Sequence, residues 1–483
     1  DYGQAFYNDG TGIIVNYGQI NLSGEPMADD DAHMGSQPTD ATLLPSVIAS
    51  AGETVVLDSD TGFKNVGTGS ANYGNATLNG DLQTMGWLWN EGADSVLDVN
   101  GTLTVSGGGM ENQGTLTADN ITISRNSYNR ATGSIVTKQL DLNKSDVSFF
   151  NEGDFTGTVT AASYTNNLVN SGTMTVTEDG AAAFSGAANI YNQAGATITN
   201  TGQAVEGGEN ALINITRTSS ADTVIVNDGT LLAQNGYSAI TTAQTGTTDA
   251  SKWFINSATG VISGSNAQAP LVYVNRGYNF ANEGTMTVQG DNAVGIASSG
   301  TSYTQYLVNS GTLNVGTQAG QSDGSNGTGL TGIQGGGKGT TVNNTASGVI
   351  NVYAEDSYAF GGTAKQFINN GEVNLLCETN CGIFAPGTSG TQEDHSGVAD
   401  ITVPDASKTP SQGGVPTPPA DSGMQVVSNY TVGTNADGSA GTLTASNIAL
   451  ENVTVDTGFT SGTAATSMTF NNVFTGSNIE GAD

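Results

Sequence analysis

Two histidines and two cysteines are all that 483 residues contain. A zinc site built from such ligands needs four donors. Cys377 and Cys381 would have to recruit His33 and His395, which stand far apart in the chain. A thiol redox motif has two residues between its cysteines and opens a helix; here three intervene, in Leu375-Leu376-Cys377-Glu378-Thr379-Asn380-Cys381. The pair reads instead as a small disulfide closing a turn, which places the chain in an oxidising compartment. So short a loop stabilises by at most about 2 kcal/mol.

Basic residues are almost as scarce. Eleven Lys and Arg stand against 44 Asp and Glu, for a net charge of −33. Eleven cations spread over this length cannot track a phosphate backbone, which excludes nucleic acid as a partner. The acidic balance keeps a long secreted surface soluble and favours partners with basic patches. Long apolar runs are missing, so no helical membrane span is expected. Leu and Lys are few and no 3.6-residue period is sustained, so helices should be rare. No secretory signal opens the chain, which reads as a mature or trimmed sequence.

What remains is Gly (68 residues), Asn, Thr and Ser, written in one recurring phrase. Asn282-Glu283-Gly284-Thr285-Met286-Thr287-Val288 is a clear copy. Others begin at Asn112, Asn170, Asn227 and Asn309, with looser copies at Asn16, Asn90, Asn151, Asn192, Asn256, Asn343 and Asn369. An apolar residue precedes each Asn by one or two places, as Phe150, Val169, Phe254, Phe280 and Val342 show. The unit is an apolar residue, a turn at Asn-x-Gly and a short alternating strand. From Asn90 the anchors fall 22, 39, 19, 22, 35, 29, 26, 27, 34 and 26 residues apart. A period in the twenties suits one coil of a three-sided parallel β-helix, with loops added where gaps widen. The expected fold is therefore an all-β, right-handed parallel β-helix with loop insertions.

The expected organisation is a β-helix trunk over 1–384, interrupted at 25–50 by an acidic loop or cap. A Pro-rich loop follows over 385–424, and further coils fill 425–483, cut off before further domains. The triplet Asp29-Asp30-Asp31 lacks the alternation of a calcium loop and reads as a solvated run. Trp87 and Trp89 share a strand face; they fit a core or loop-covering pair, or a sugar-stacking platform.

Two groups are candidate binding sites. Residues 120–150 hold the densest basic group. There Arg125, Asn126, Asn129, Arg130, Lys144 and Asp146 would offer amides, carboxylates and cations to a glycan's hydroxyls and sulfates, or merely neutralise the acidic surface. After the Asn anchors come Asp119, Glu178, Asp179, Asn200, Asn235, Asn266, Asp291, Asn292, Glu355 and Asp356. In stacked coils they would line one edge at about 4.8 Å per coil, as a stripe for a protein partner or as simple turn formers.

Catalysis finds little support. Asp394, His395 and Ser422 could be imagined as a triad, but Ser422 sits in the Pro-rich break. Gly320-Gln321-Ser322-Asp323-Gly324 matches a nucleophile elbow in letters, yet loop composition follows where a helix is needed. The paired carboxylates, histidine and cations of a polysaccharide-cleaving β-helix are not found on successive coils. No enzyme activity, metal or cofactor is expected.

The Asn-x-Gly-Thr-aliphatic-x-Val phrases, the lone close cysteine pair and the Gly/Asn/Thr richness resemble the passenger domains of autotransporter adhesins of Gram-negative bacteria, of the diffuse-adherence and self-associating type. The resemblance implies a virulence-associated adhesin at the cell surface. It would be exported through the periplasm and held at the outer membrane, or released from it, by a C-terminal β-barrel that this sequence does not contain. It further implies binding to a host extracellular-matrix protein such as fibronectin, to host glycosaminoglycan, or to copies of itself in aggregates and biofilm.

Overall fold

A computed structural model describes residues 41–216, 223–243, 252–299 and 302–421, with short strand segments at 15–16, 19–21 and between 425 and 480. Asp29–Asp31, His33 and Ser422 lie outside the described residues, as does most of the 25–50 insertion. Contacts divide the chain into two units, residues 126–413 and residues 1–125 with 414–483.

Residues 126–413 form a three-sided parallel solenoid. One coil consists of strands Lys252–Asn256, Val261–Ser265 and Val272–Val274; the next of Tyr278–Asn282, Thr285–Gln289 and Val294–Ser298. Each strand pairs in parallel with its counterpart one coil later, with Asn256 opposite Asn282, Ile262 opposite Met286 and Val272 opposite Ile296. The alternation of each strand sends Phe254, Ile262, Phe280, Met286 and Ile296 into a core from which solvent is excluded.

The recurring phrase makes one corner of the coil. A strand ends at Asn, the chain turns through Gly, and the next strand starts at Thr, as at Asn282 and Thr285. The Asn is completely buried and belongs to a ladder. Asn151, Asn170, Asn192, Asn227, Asn256, Asn282 and Asn309 each donate from the side-chain amide to the Oδ1 of the next, at 2.7–2.8 Å. Glycine follows because coils approach closely there. A Cβ at Gly311 would sit 2.1 Å from the carbonyl oxygen of Gly284, a separation no side chain tolerates.

Two anchors differ from those expected. Asn129 is a ladder member and donates to Asn151 at 2.8 Å. The 39-residue gap between Asn112 and Asn151 therefore holds an additional corner, not one coil with a long loop. Its turn is two residues longer, Asn129 to Gly133, as it also is from Asn256 to Gly260. Asn344, not Asn343, occupies the ladder between Asn309 and Asn369. The ladder ends on Asp394, which accepts from Asn369 at 2.8 Å. An ionised carboxylate only accepts, so it closes such a chain of donors.

The expected Pro-rich loop begins later than residue 385, since Ser389–Asp394 is still a strand paired with the preceding coil. Residues 398–413 then run outside any strand, back over the coils in reverse order. Asp400 meets Asn343 and Asn370, Thr409 meets Gln193, Gln412 meets Glu152, and Gly413 meets Tyr128. Thirteen extended steps reach about 43 Å, which matches the roughly 38 Å of eight coil spacings between those ends.

One short helix stands among the described strands, in keeping with the expectation that helices are rare. Gln318–Asp323 is capped by Thr317, whose hydroxyl accepts from the Gly320 amide at 2.9 Å, and stops at Gly324 in left-handed backbone. Thr before and Gly after are ordinary helix punctuation. The loop composition expected after Ser322 does form loop, since the helix ends at Asp323. Ser322 lies inside the helix rather than ahead of it, so the elbow geometry is still not met.

The other unit is built the same way. Strands Thr54–Asp58, Asn75–Asn79 and Val96–Val105 pair in parallel, and Asn72, Asn90 and Asn112 form a second ladder at 2.8 Å. Thr431–Gly433 pairs in parallel with Val15–Asn16 on one side and Thr454–Asp456 on the other. Thr442–Thr444 likewise joins Gln19–Asn21 and Phe474–Thr475. Trp89 is buried, while Trp87, stacked on it at 5.9 Å, keeps an exposed portion.

Candidate functional site

A second corner of unit 126–413 carries most of the expected polar stripe. Asn235, Asn266, Asn292 and Asp356 adopt left-handed backbone, at φ 53°, 56°, 57° and 52°. Asn and Asp tolerate that conformation because a short polar side chain bonds locally. Successive turns are joined by backbone hydrogen bonds: Ala204 N to Asn235 O, Gly236 N to Ser265 O, Asn266 N to Gln289 O, Gly290 N to Asn326 O and Gly329 N to Glu355 O. Glu178, Asp179, Asp291, Asn292, Glu355 and Asp356 are therefore brought onto one edge, all exposed. From Glu178 to Glu355 is six coil steps, about 29 Å.

Some of these carboxylates also serve the fold. Asp179 accepts from the Gln203 amide at 2.8 Å and Asp291 from the Thr328 amide at 3.0 Å. Glu209 joins the edge, its amide donating to Gly180 O at 2.7 Å. Spacing from the anchors misses it; the excursion Val205-Glu206-Gly207-Gly208-Glu209 is its only sequence signal. No Lys or Arg occurs in the corner segments 176–181, 200–210, 234–237, 265–270, 289–292, 323–329 and 353–357. Two expected members are not part of the exposed edge. Asn200 lies within the corner segments but turns inward, buried and bonded to Gly202 O and Gln234 O, and Asp119 is an exposed residue of the other unit.

The basic group is not gathered into one surface. Asn129 lies in the buried ladder, which removes it as a ligand residue. Arg130 pairs with Glu152 at 3.3 Å, donates to Gln412 at 2.8 Å and lies 4.7 Å above the Tyr128 ring. Lys144 and Asp146 stand exposed on one turn, with half-buried Asn126 on a neighbouring one, where it accepts from the Ser148 amide at 2.9 Å. Arg125 belongs to the other unit and donates to Gly107 O.

A third feature involves the apolar residues that precede the ladder Asn residues. The residue immediately before each ladder Asn faces away from the core, by strand alternation. Yet Phe150, Val169, Tyr191, Val226, Ile255 and Val308 are at most 7% exposed. Over Ile255, Ala281 and Val308 the cover is the 398–413 strap, whose Ile401 and Val403 pack there with Trp253 and Tyr306. Polar anchors fix it. Asp400 accepts from Asn343 at 3.0 Å, Asn370 at 2.8 Å and the Ala346 amide at 2.9 Å. Desolvation opposes ionisation of Asp400, but these three donors outweigh it and hold its pKa below the ordinary carboxylate value. Midway, Glu283 has a raised pKa, through burial first and the nearby Asp405 second.

Cys377 and Cys381 are joined by a disulfide across a turn. Among the described residues no group of three His, Cys, Asp or Glu is placed to hold a metal ion. His395 lies 3.0 Å from Asp394, its neighbour in sequence, and both are exposed.

Fold and surface together define a parallel β-solenoid with a buried asparagine ladder and an acidic outer corner. Residues 94–380 match a family model described as the BigA fourth domain, and residues 429–483 one described as the BigA beta sandwich domain. The chain belongs to the BigA family. It is 57% identical over 488 residues to BigA of Salmonella typhimurium, whose name describes it as a surface-exposed virulence protein. That match takes in 100% of this chain and 25% of the relative, so the chain spans about a quarter of that protein's length. The match is to this family and neither to the autotransporter adhesins that the repeated phrases resemble nor to UpaB, the member they resemble most. Sandwiches are built from antiparallel strands, whereas the described strands between 429 and 480 pair in parallel. No solved structure matches the chain.

Proposed function

We propose that this chain is a non-enzymatic module of a bacterial cell-surface adhesin, and that the acidic corner of residues 126–413 binds a basic patch on a host extracellular-matrix protein such as fibronectin. The observation that carries the reading is the edge itself: exposed carboxylates repeated on stacked turns, with no cation in the turn segments. A rigid scaffold holding charges at fixed spacing attracts and orients a partner of opposite sign. The family and the surface-exposed relative support a place at the cell surface. Export through the periplasm and anchoring at or release from the outer membrane belong to the same proposal.

Glycosaminoglycan binding is the weaker form of the idea. It would rest on Arg125, Asn126, Arg130, Lys144 and Asp146, of which Arg130 is already engaged by Glu152, Gln412 and the Tyr128 ring, and a sulfated chain is repelled by the acidic corner. A second reading is self-association leading to aggregation and biofilm, favoured by an outer apolar column that the strap covers at Ile255, Ala281 and Val308.

Solid-phase binding of the full chain to fibronectin and to heparan sulfate tests the proposal. Saturable fibronectin binding that weakens with salt is expected, with little retention of heparan sulfate. Absence of saturable binding to a panel of basic matrix proteins would count against the corner as an adhesive surface.

A further inference from the structure

We propose that the outer apolar column of residues 126–413 is an exchange site, on which residues 398–413 of a second copy of this chain dock in place of the chain's own strap. The inference rests on the self-association reading and gives it a surface and an occupant. A column of this length, uncovered, would be an apolar patch of the kind that associates with other molecules. Its cover is one extended segment that forms no strand ladder with the coils. The attachment runs through side chains and isolated backbone groups rather than a ladder: Asp400 in its three-donor cage, the Ile401 amide on Asn343, Ile401 and Val403 on Ile255 and Val308, Thr409 on Gln193, Gln412 on Glu152 and Arg130, and the Gly413 amide on Tyr128.

Every copy carries the same strap and the same column, so contacts made within one chain are available between two. Reciprocal exchange gives a closed two-fold dimer at little energetic cost. Its hinge is at hand: Gly397 adopts positive φ between the strand that ends at Asp394 and the strap. Residues 414–483 follow the strap onto the second copy, where Thr431–Gly433 meets that copy's Val15–Asn16 as it meets its own here. The Glu283–Asp405 approach weakens the middle of the strap and so favours its release. Tethering gives the chain's own strap an effective concentration that a second copy matches only when copies are crowded.

Complementary variants of the full chain test this. One carries Ile401→Ser and Val403→Ser, leaving a sound column and a poor strap. The other carries Ile255→Asp and Val308→Asp, leaving a sound strap and a poor column. By analytical ultracentrifugation neither should dimerise alone, while an equimolar mixture should form a heterodimer. Wild type should dimerise increasingly with concentration, and excess synthetic peptide 398–413 should lower its dimer fraction by at least half. The same peptide carrying Asp400→Ala and Ile401→Ser should not. If a variant fails to fold, the peptide experiment on wild type decides alone. Wild-type dimers indifferent to the peptide would overturn strap exchange and leave self-association standing on another surface. A wild-type chain monomeric at every concentration would overturn both.

Discussion

The side-chain amide of Asn256 donates to the Oδ1 of Asn282 at 2.7 Å, in a site with no exposure to solvent. Asn256 in turn accepts from Asn227. Each ladder residue is thus donor to one neighbour and acceptor from the other, and replacing one strands polar atoms on both sides. Asn256→Leu should cost roughly 2–4 kcal/mol, as two buried groups lose partners. Solenoids lose cooperativity over distance. The measurement is therefore amide hydrogen exchange, with protection falling in coils 225–309 and persisting near Leu103 and Ile121. Uniform loss, or none, would contradict the ladder's local role.

Asp400 should be the main polar anchor of the strap. Asp400→Ala removes the acceptor of three hydrogen bonds, and a loss of about 1–3 kcal/mol of local stability is expected. Lys408 is the lone Lys or Arg between 395 and 421, so tryptic cleavage after it reports detachment. Cleavage should quicken about tenfold or more for a change of that size. An unchanged rate would show that Ile401 and Val403 hold the strap without it.

The two carboxyl groups under the strap should respond to pH in opposite senses. Asp400 has a lowered folded pKa, so its contribution is present above the ordinary carboxylate value and is lost as pH falls through the folded one. Glu283 has a raised folded pKa, so its contribution is full below the ordinary value and is lost as pH rises through the folded one. Glu283→Gln should therefore slow cleavage after Lys408 at neutral pH, by an amount worth about 0.5 kcal/mol for a partly exposed charge pair. Because trypsin is inactive in acid, hydrogen exchange of residues 398–413 provides the low-pH arm. There wild type and Glu283→Gln should converge below about pH 4.

Reduction of the Cys377–Cys381 bond should have a confined effect. The loop it closes is short, so Cys377→Ser with Cys381→Ser should cost no more than about 2 kcal/mol. Exchange should rise around 372–384 and remain unchanged at the ladder from Asn151 to Asn309.

The corner was legible in the sequence because one phrase encodes it: Asn for the ladder, Gly for the close approach, Thr to open the next strand. Asn129 was missed, and the two-residue stretch of its turn, Asn129-Arg130-Ala131-Thr132-Gly133, does not by itself account for that, since the same form from Asn256 to Gly260 is legible. Asn343 and Asn344 stand side by side, and only the alternation from Val342 in the core assigns Asn344 inward. The polar edge was partly legible, since left-handed turns select Asn and Asp whether or not a ligand is present. The strap's role was not legible. Ile401 and Val403 contact residues about 100–150 positions earlier, and no local pattern records a pairing at that distance. Apolar residues at both one and two places before Asn were the trace it left, because alternation would otherwise face one of them to water.

The most direct test of the account is fibronectin binding by a chain carrying Glu178→Lys and Glu355→Lys, two exposed members of the acidic corner. The circular dichroism spectrum and Lys408 cleavage rate should match wild type. Fibronectin affinity should fall at least tenfold, about 1.4 kcal/mol, with a flatter dependence on salt. Undiminished binding by the folded variant would contradict the claim that this edge is the adhesive surface.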